Sequence, residues 1–282
     1  MYSNITSCVK TNAGITEFFK CNIGTRQGDT SSTTIFSLFI NQLCTRLREG
    51  NINGIFVTEN IPDIICLMFA DDIANCSDTV VNLQKQLNVI NEFCIDTSME
   101  INLEKTEISV FRNGGPLRNN EKWFLGEEQI RISSHYNYLG LIFTPMLSWF
   151  SAQQKLAAQA RKATFSIYKY QRAFGYFPCK DLFKLFDSMI KPILCHGAQV
   201  WGHTYSEVVE SVHFDFCKRY LKLNSKTNNM VALGECGRYP IYIDYYSYCI
   251  KYWCRLLVMP NNRYPRNCYL MQKSLDDVGR RT

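Results

Sequence analysis

Two adjacent acids, Asp71 and Asp72, follow directly after the longest apolar run of the chain, Ile64–Ala70, and the chain turns apolar again behind them. This order predicts a strand, a two-acid turn and a returning strand, which would hold both carboxylates at a sheet edge. Carboxylate oxygens are ligands that Mg²⁺ prefers, usually together with waters and substrate phosphates. The chemistry that such an arrangement could serve is metal-assisted phosphoryl transfer.

The two acids are not sufficient by themselves. Side chains of successive strand residues alternate between faces, so a two-metal site normally takes a third carboxylate from a neighbouring strand. An ordinary hairpin closed by an Asp-Asp turn explains the same two residues. The segments around the pair must decide between these interpretations.

The surrounding pattern predicts the elements that would position the acids. Residues 5–23 alternate and indicate a hairpin, and apolar residues at helical spacing in Ile35–Leu47 predict a helix. A second helix is predicted with Asp78 as its N-terminal cap. From about residue 148 the pattern is helical. The sequence therefore predicts an α+β fold, with a mixed part up to residue 145 and an all-helical part behind it.

Four segments stand in a fixed order along the chain: GTRQGDTSSTTIFSLFINQL, MFADDIANC, SMEINLEKTEISVF and YNYLGLIF. This series resembles the palm of the reverse transcriptases encoded by non-LTR retrotransposons, the LINE- and jockey-like elements. That family carries G-V-R-Q-G-D-P-L-S-P-x-L-F, Y/F-A-D-D, G-L-x-I-N-x-x-K-T and Y-L-G at similar spacings. The resemblance covers nearly the whole chain and implies a partial palm, an antiparallel sheet with packed helices, in residues 1–145 and a helical, thumb-like region in residues 146–282.

The resemblance also implies roles for individual residues and names the expected partners: an RNA template, a DNA primer and deoxynucleoside triphosphates. The implied catalytic and metal-binding residues are Asp71 and Asp72 of a two-Mg²⁺ site, with Lys105 at the leaving pyrophosphate. The implied nucleotide- and template-binding residues are Arg26, Gln27 and Gly28, and the implied primer grip is Tyr138, Leu139 and Gly140. Structural roles compete at these positions: a helix-capping turn, a solvated lysine and an aromatic-rich hairpin.

Basic side chains concentrate in the second part of the chain. Residues 1–114 contain 8 Lys and Arg against 13 Asp and Glu, whereas residues 115–282 contain 23 against 12. A basic surface of this size favours a polyanion, because neutralised phosphates release condensed counterions. The cations expected to contact nucleic-acid backbone are Lys155, Arg161, Lys162, Lys169 and Arg172. An amphipathic helix with a charged outer face explains the same pattern.

One part of the family's metal site is missing from this sequence. In the family another metal-binding aspartate precedes the R-Q-G segment on its own strand, whereas residues 1–23 contain Glu17 as their sole acid. We therefore expect a chain that begins inside the palm, truncated at its N-terminus, and that is inactive as a polymerase by itself. The alternative functions are a non-catalytic nucleic-acid-binding module and the remnant of a decayed element.

Other features of the sequence exclude several classes of protein. The longest apolar run is too short to cross a bilayer and no secretory signal is visible, so we expect an intracellular protein, cytoplasmic or nuclear, without a membrane partner. The 13 cysteines form no C-x-x-C pair, which indicates reduced thiols rather than a disulfide framework. His196, His203 and His213 lie near cysteines without zinc-site spacing, so no metal site is predicted there.

Overall fold

The structure is a computed structural model that describes residues 5–21, 24, 28–50, 52–112, 114–175 and 177–277. The chain divides into two compact units: the first comprises residues 1–101 and 119–129, and the second residues 102–118 and 130–282. Strands and helices both occur, which confirms the predicted α+β class. The functional division at residue 145 stays a prediction.

The secondary structure elements of the described residues are short strands and helices of up to 25 residues. The strands are β1 (Ile5–Ser7), β2 (Lys10–Thr11), β3 (Gly14–Ile15), β4 (Phe19–Cys21), β5 (Cys66–Phe69), β6 (Asp72–Asn75), β7 (Glu107–Ile108), β8 (Phe124–Leu125), β9 (Glu128–Gln129), β10 (Arg131–Ile132), β11 (Tyr136–Tyr138) and β12 (Leu141–Phe143). The helices are α1 (Ser32–Glu49), α2 (Val80–Thr97), α3 (Phe150–Phe174), α4 (Cys179–Leu185), α5 (Lys191–Leu194), α6 (Ala198–Trp201), α7 (Glu207–Tyr220), α8 (Asn229–Glu235), α9 (Tyr242–Val258) and α10 (Tyr264–Asp277).

In the first unit, α1 and α2 pack against the β5–β6 hairpin. The buried residues recur at helical spacing, and they are Ile40, Leu43 and Leu47 on α1 and Leu87, Ile90 and Phe93 on α2. The ring of Phe93 lies 5.8 Å from that of Phe39. Burying each such side chain contributes about 1.5–3 kcal/mol, so this helical pair is the support on which the hairpin rests.

The N-terminus of α2 corrects one prediction. The capping residue is Thr79 rather than Asp78, because the Thr79 side chain accepts a hydrogen bond from the Asn82 backbone N–H at 3.2 Å. The N-terminal hairpin is confirmed, since β1 pairs with β4 and β2 with β3, all antiparallel.

In the second unit, helices α3 to α10 follow the β11–β12 hairpin and enclose the larger core. Small residues of α3, Ala157 and Ala160, are fully buried and let α3 approach its neighbours closely. The largest fully buried side chains of this core are Trp201, Tyr245, Phe186 and Phe216. After Phe143 in the sequence, the part of the chain that the structure describes contains helices and no strands, as predicted.

A π-helical turn, Phe186–Ile190, connects α4 to α5. Pro192 follows it and has no backbone N–H, so the regular hydrogen-bond ladder cannot continue through this point. The turn contains Asp187, whose carboxylate accepts hydrogen bonds from both terminal nitrogens of Arg238, at 2.8 and 2.5 Å. The π-helical turn thus contains one partner of a half-buried ion pair that joins distant parts of the second unit.

Candidate active site and nucleic-acid interface

The paired acids lie at the tip of the β5–β6 hairpin, in the first unit. The strands are antiparallel and place Phe69 opposite Asp72 and Met68 opposite Ile73. Because strand side chains alternate, Met68 and Ile73 face the helical support, while Phe69 and Asp72 share the open face. The structure therefore forms the predicted strand, acidic turn and returning strand.

The turn of this hairpin holds a strained backbone. Ala70 has a φ of +53°, a left-handed conformation that costs a non-glycine residue about 1–2 kcal/mol. Asp71 follows in the turn, and Asp72 begins β6. Both acids are exposed, so their carboxylates are accessible to ligands from solvent.

Beneath the acids lies a small group of sulfur atoms. Cys44 Sγ lies 3.4 Å from Cys66 Sγ and 3.5 Å from Met68 Sδ. Burial, and then the neighbouring Cys44, raises the pKa of Cys66 to about 12. The Cys66 thiol therefore stays protonated and is unsuited to binding a metal.

The acids fit only part of a two-metal site. Within the described residues, no three His, Cys, Asp or Glu side chains come together to hold a metal ion. Mg²⁺ takes one or two protein carboxylates when substrate phosphates supply further oxygens, but two bridged ions normally need a third. The described residues therefore supply only part of such a site.

The R-Q-G segment is described only in part. Arg26 and Gln27 lie outside the described residues. Gly28 has a φ of +86°, and a Cβ at this position would meet no described atom within 4 Å. The backbone conformation, rather than lack of space, is therefore the reason for glycine here.

Lys105 is exposed and belongs to the second unit. Its backbone N–H donates to Asn102 O and to Asn102 Oδ1, each at 3.1 Å. The Thr106 hydroxyl donates to the same backbone oxygen at 2.9 Å. A side-chain-stabilised turn thus presents the lysine, in a different unit from the paired acids.

The Tyr138-Leu139-Gly140 segment forms the end of the β11–β12 hairpin. Leu139 and Gly140 both have positive φ, +48° and +87°, as a tight two-residue hairpin turn requires. His196 Nε2 donates to the Leu139 carbonyl at 2.9 Å. Lys155 Nζ donates to Asn137 Oδ1 at 2.6 Å and lies 3.4 Å from Gly140 O. His196 and Lys155, which are distant in sequence, therefore stabilise this turn through hydrogen bonds.

His196 is a residue that the sequence pattern did not single out for this position. The spacing of this histidine bears only on a zinc site, because spacing along the chain carries no information on which distant turn a side chain contacts. The ammonium group of Lys155 contacts the hairpin turn, and its contact with nucleic-acid backbone stays a prediction.

We expect Gly140→Ala to lower the free energy of unfolding by about 1–3 kcal/mol, because its φ disfavours a Cβ and that Cβ would lie 3.0 Å from His196 Nε2. Urea denaturation measures the change. Gly115→Ala is the matched control, since Gly115 has a φ of +91° with no described atom within 4 Å of an added Cβ. Equal losses of stability in both variants would show that the close approach of the added Cβ to His196 costs no stability.

The remaining predicted cations lie along α3 and are exposed. Arg161 Nη2 donates to Ser211 Oγ at 2.7 Å, which ties it to α7. Lys169 and Arg172 line a pocket of about 490 Å³ together with Arg219 of α7. Lys162 stays on the outer face of α3. Of the five predicted cations, Lys155 and Arg161 therefore make contacts within the protein. The other three lie on the exposed surface or line the pocket.

No helix among the described residues is long and apolar enough to cross a membrane.

Comparison with known proteins identifies the family of this chain. A family model described as reverse transcriptase (RNA-dependent DNA polymerase) matches residues 2–143, which include the paired acids and the Tyr138-Leu139-Gly140 turn. Such enzymes act on a nucleic-acid template with deoxynucleoside triphosphates, and they generally use divalent metals. With half of its length matched, the chain belongs to the reverse transcriptase family.

Proposed function

We propose that this chain is the palm and thumb portion of a reverse transcriptase of the non-LTR retrotransposon type. The observation that carries the proposal is the presentation of Asp71 and Asp72, exposed at the tip of a hairpin inside the region that matches the family. The palm would comprise residues 1–145 and the thumb residues 146–282. The parent activity is synthesis of DNA on an RNA template.

The proposed roles follow the family motifs that these residues match in the sequence. Asp71 and Asp72 supply carboxylates for Mg²⁺, and Lys105 supplies a positive charge for the leaving pyrophosphate. Gly28, with Arg26 and Gln27, approaches the incoming nucleotide or the template base. The Tyr138–Gly140 turn, held by His196 and Lys155, positions the primer strand. In each case the residue type suits the role, and the family match over residues 2–143 supports it.

We further propose that this chain alone does not polymerise DNA. The family's second source of metal-binding carboxylate would precede the R-Q-G segment, and residues 1–23 contain no Asp. Two carboxylates from one hairpin cannot clamp both the attacking and the leaving oxygen through two ions. What the chain retains is the capacity to bind nucleic acid through its basic helices.

A primer-extension assay tests this proposal. The purified chain is incubated with poly(rA)/oligo(dT), thymidine triphosphate and Mg²⁺, and we expect no more incorporation than with Asp71→Ala. In a gel-shift assay we expect both proteins to bind the same template–primer equally, with an affinity that falls steeply as salt rises. Robust synthesis that Asp71→Ala abolishes would contradict the proposed inactivity and would demonstrate the parent activity directly.

A second candidate function is a nucleic-acid-binding module without chemistry. The excess of Lys and Arg after residue 114 favours this function, because binding through basic side chains does not depend on Asp71 and Asp72. Complementation distinguishes the two: a polypeptide carrying the family's upstream aspartate strand should restore synthesis to a palm but not to a simple binding module. Failure of the chain to bind nucleic acid at low salt would exclude both functions. Absence of a cooperative unfolding transition would instead identify the remnant of a decayed element.

A further inference from the structure

A pocket lies between the C-terminal half of α3 and the end of α7, in the second unit. Its lining consists of Phe165, Tyr168, Lys169, Arg172, Ala173 and Arg219. The cavity of about 490 Å³ lies within the size range of small-molecule and cofactor sites. Three of the six lining residues are cations and none is an acid, so the pocket suits an anion.

The cations of this pocket give it a positive charge. None of Lys169, Arg172 and Arg219 forms an ion pair with a carboxylate of the described chain. The Arg219 guanidinium lies 4.1 Å from the centre of the Tyr168 ring, a cation–π contact that fixes the group without neutralising it. Burial raises the pKa of Tyr168 to about 12 against the opposing effect of Arg219, so its hydroxyl stays neutral. The pocket therefore presents fixed positive charge.

Phe165 adds a flat apolar surface at the same place. Its side chain is 64% exposed, and it precedes Lys169 and Arg172 by one and two helical turns on the same side of α3. A single exposed phenylalanine is common on protein surfaces, but this ring lies within a pocket of three cations. Aromatic rings beside cations are the combination with which proteins bind unpaired nucleotides, the ring stacking on the base and the cations contacting phosphate.

We propose that this pocket binds one unpaired nucleotide of a nucleic-acid strand, with its base on Phe165 and its phosphate between Lys169, Arg172 and Arg219. The inference rests on the proposed function, and adds to it a site for single-stranded RNA or DNA. A duplex cannot occupy the site in the same way, because its bases are stacked on one another and do not offer a free face to Phe165.

Fluorescence anisotropy with labelled oligonucleotides tests the proposal on the full chain. The probes are oligouridylate and oligothymidylate of about a dozen nucleotides, and a DNA duplex of equal length. We expect Phe165→Ala to weaken binding of at least one single strand about tenfold and to leave duplex binding unchanged. We expect Arg219→Ala to lower the slope of log affinity against log salt by about 0.7 for that strand. Whichever strand responds identifies RNA or DNA as the ligand.

The control variants lie outside the pocket. Phe150→Ala removes another exposed ring, 54% exposed, from the other end of α3, and Arg255→Ala removes an exposed cation from α9. Both should bind like the unchanged chain. If Phe165→Ala binds single strands as tightly as Phe150→Ala does, the pocket proposal is wrong while the proposed function stands. If the unchanged chain binds neither strand nor duplex, both are wrong.

Discussion

Replacing Glu210 with alanine is expected to lower the free energy of unfolding by about 3 kcal/mol. Glu210 lies on α7, is fully buried, and accepts hydrogen bonds from the backbone N–H groups of Ile241 and Tyr242, at 3.2 and 2.5 Å. These groups begin α9 and have no partner inside that helix. Alanine would leave the buried Ile241 donor and the partly buried Tyr242 donor unpaired, and an unpaired buried donor costs about 1–3 kcal/mol.

The charge of Glu210 refines this expectation. Burial raises the pKa of its carboxyl, against the opposing effect of the two backbone hydrogen bonds. Glu210→Gln keeps one acceptor oxygen without a charge to desolvate, so it should lose less stability than the alanine variant. Glu207→Ala, at an exposed position in the first turn of the same helix, is the control. Urea denaturation of all three at neutral pH measures the differences, and a Glu210→Ala loss no larger than that of Glu207→Ala would exclude the capping role.

Acidification is expected to destabilise the protein through His213. Its ring is fully buried and stacks on Phe186 with the ring centres 4.8 Å apart, and Arg238 Nε donates to its Nε2 at 3.4 Å. Burial, and then the positive charge of Arg238, lowers its pKa from 6.5 to about 3. Below pH 6.5 the unfolded chain therefore binds a proton that the folded chain does not. The free energy of unfolding falls by about 1.4 kcal/mol per pH unit, and by roughly 2 kcal/mol at pH 5.

His213→Phe isolates this contribution. Phenylalanine retains the stacking on Phe186, and Arg238 retains Asp187 as its partner. Asp187 and Lys191 also act on His213, but the lowered pKa of Asp187 affects stability only below its usual value of 3.8. Glu210, with a raised pKa, changes stability in the opposite direction above pH 4.5. The difference between the two proteins in urea denaturation, from pH 7.5 to pH 5, therefore reports His213. Parallel pH profiles would contradict the assignment.

The local parts of the fold were predictable from the sequence. The strand and turn of Ile64–Asp72 and the buried faces of α1 and α2 follow from polar and apolar alternation or from helical spacing. The cap of α2 was misplaced by one residue, because Asp78 and Thr79 have equally suitable side chains and only the backbone decides which one accepts the Asn82 N–H. Four motifs in a fixed order were sufficient to indicate the reverse transcriptase family, which the comparison confirmed, while the non-LTR type stays a prediction.

The contacts between distant segments were decided by the tertiary structure. His196 holds the Leu139 carbonyl across 57 positions, Glu210 caps α9, and Arg219 closes the pocket beside Phe165. Periodicity reports which face of an element is buried, but it carries no information on which other element covers that face. The sequence by itself therefore determined the acidic hairpin and the family, whereas the packing of the second unit decided which side chains surround the Tyr138-Leu139-Gly140 turn and the basic pocket. The physical reason is that pairing between remote residues depends on the path of the whole chain, not on local spacing.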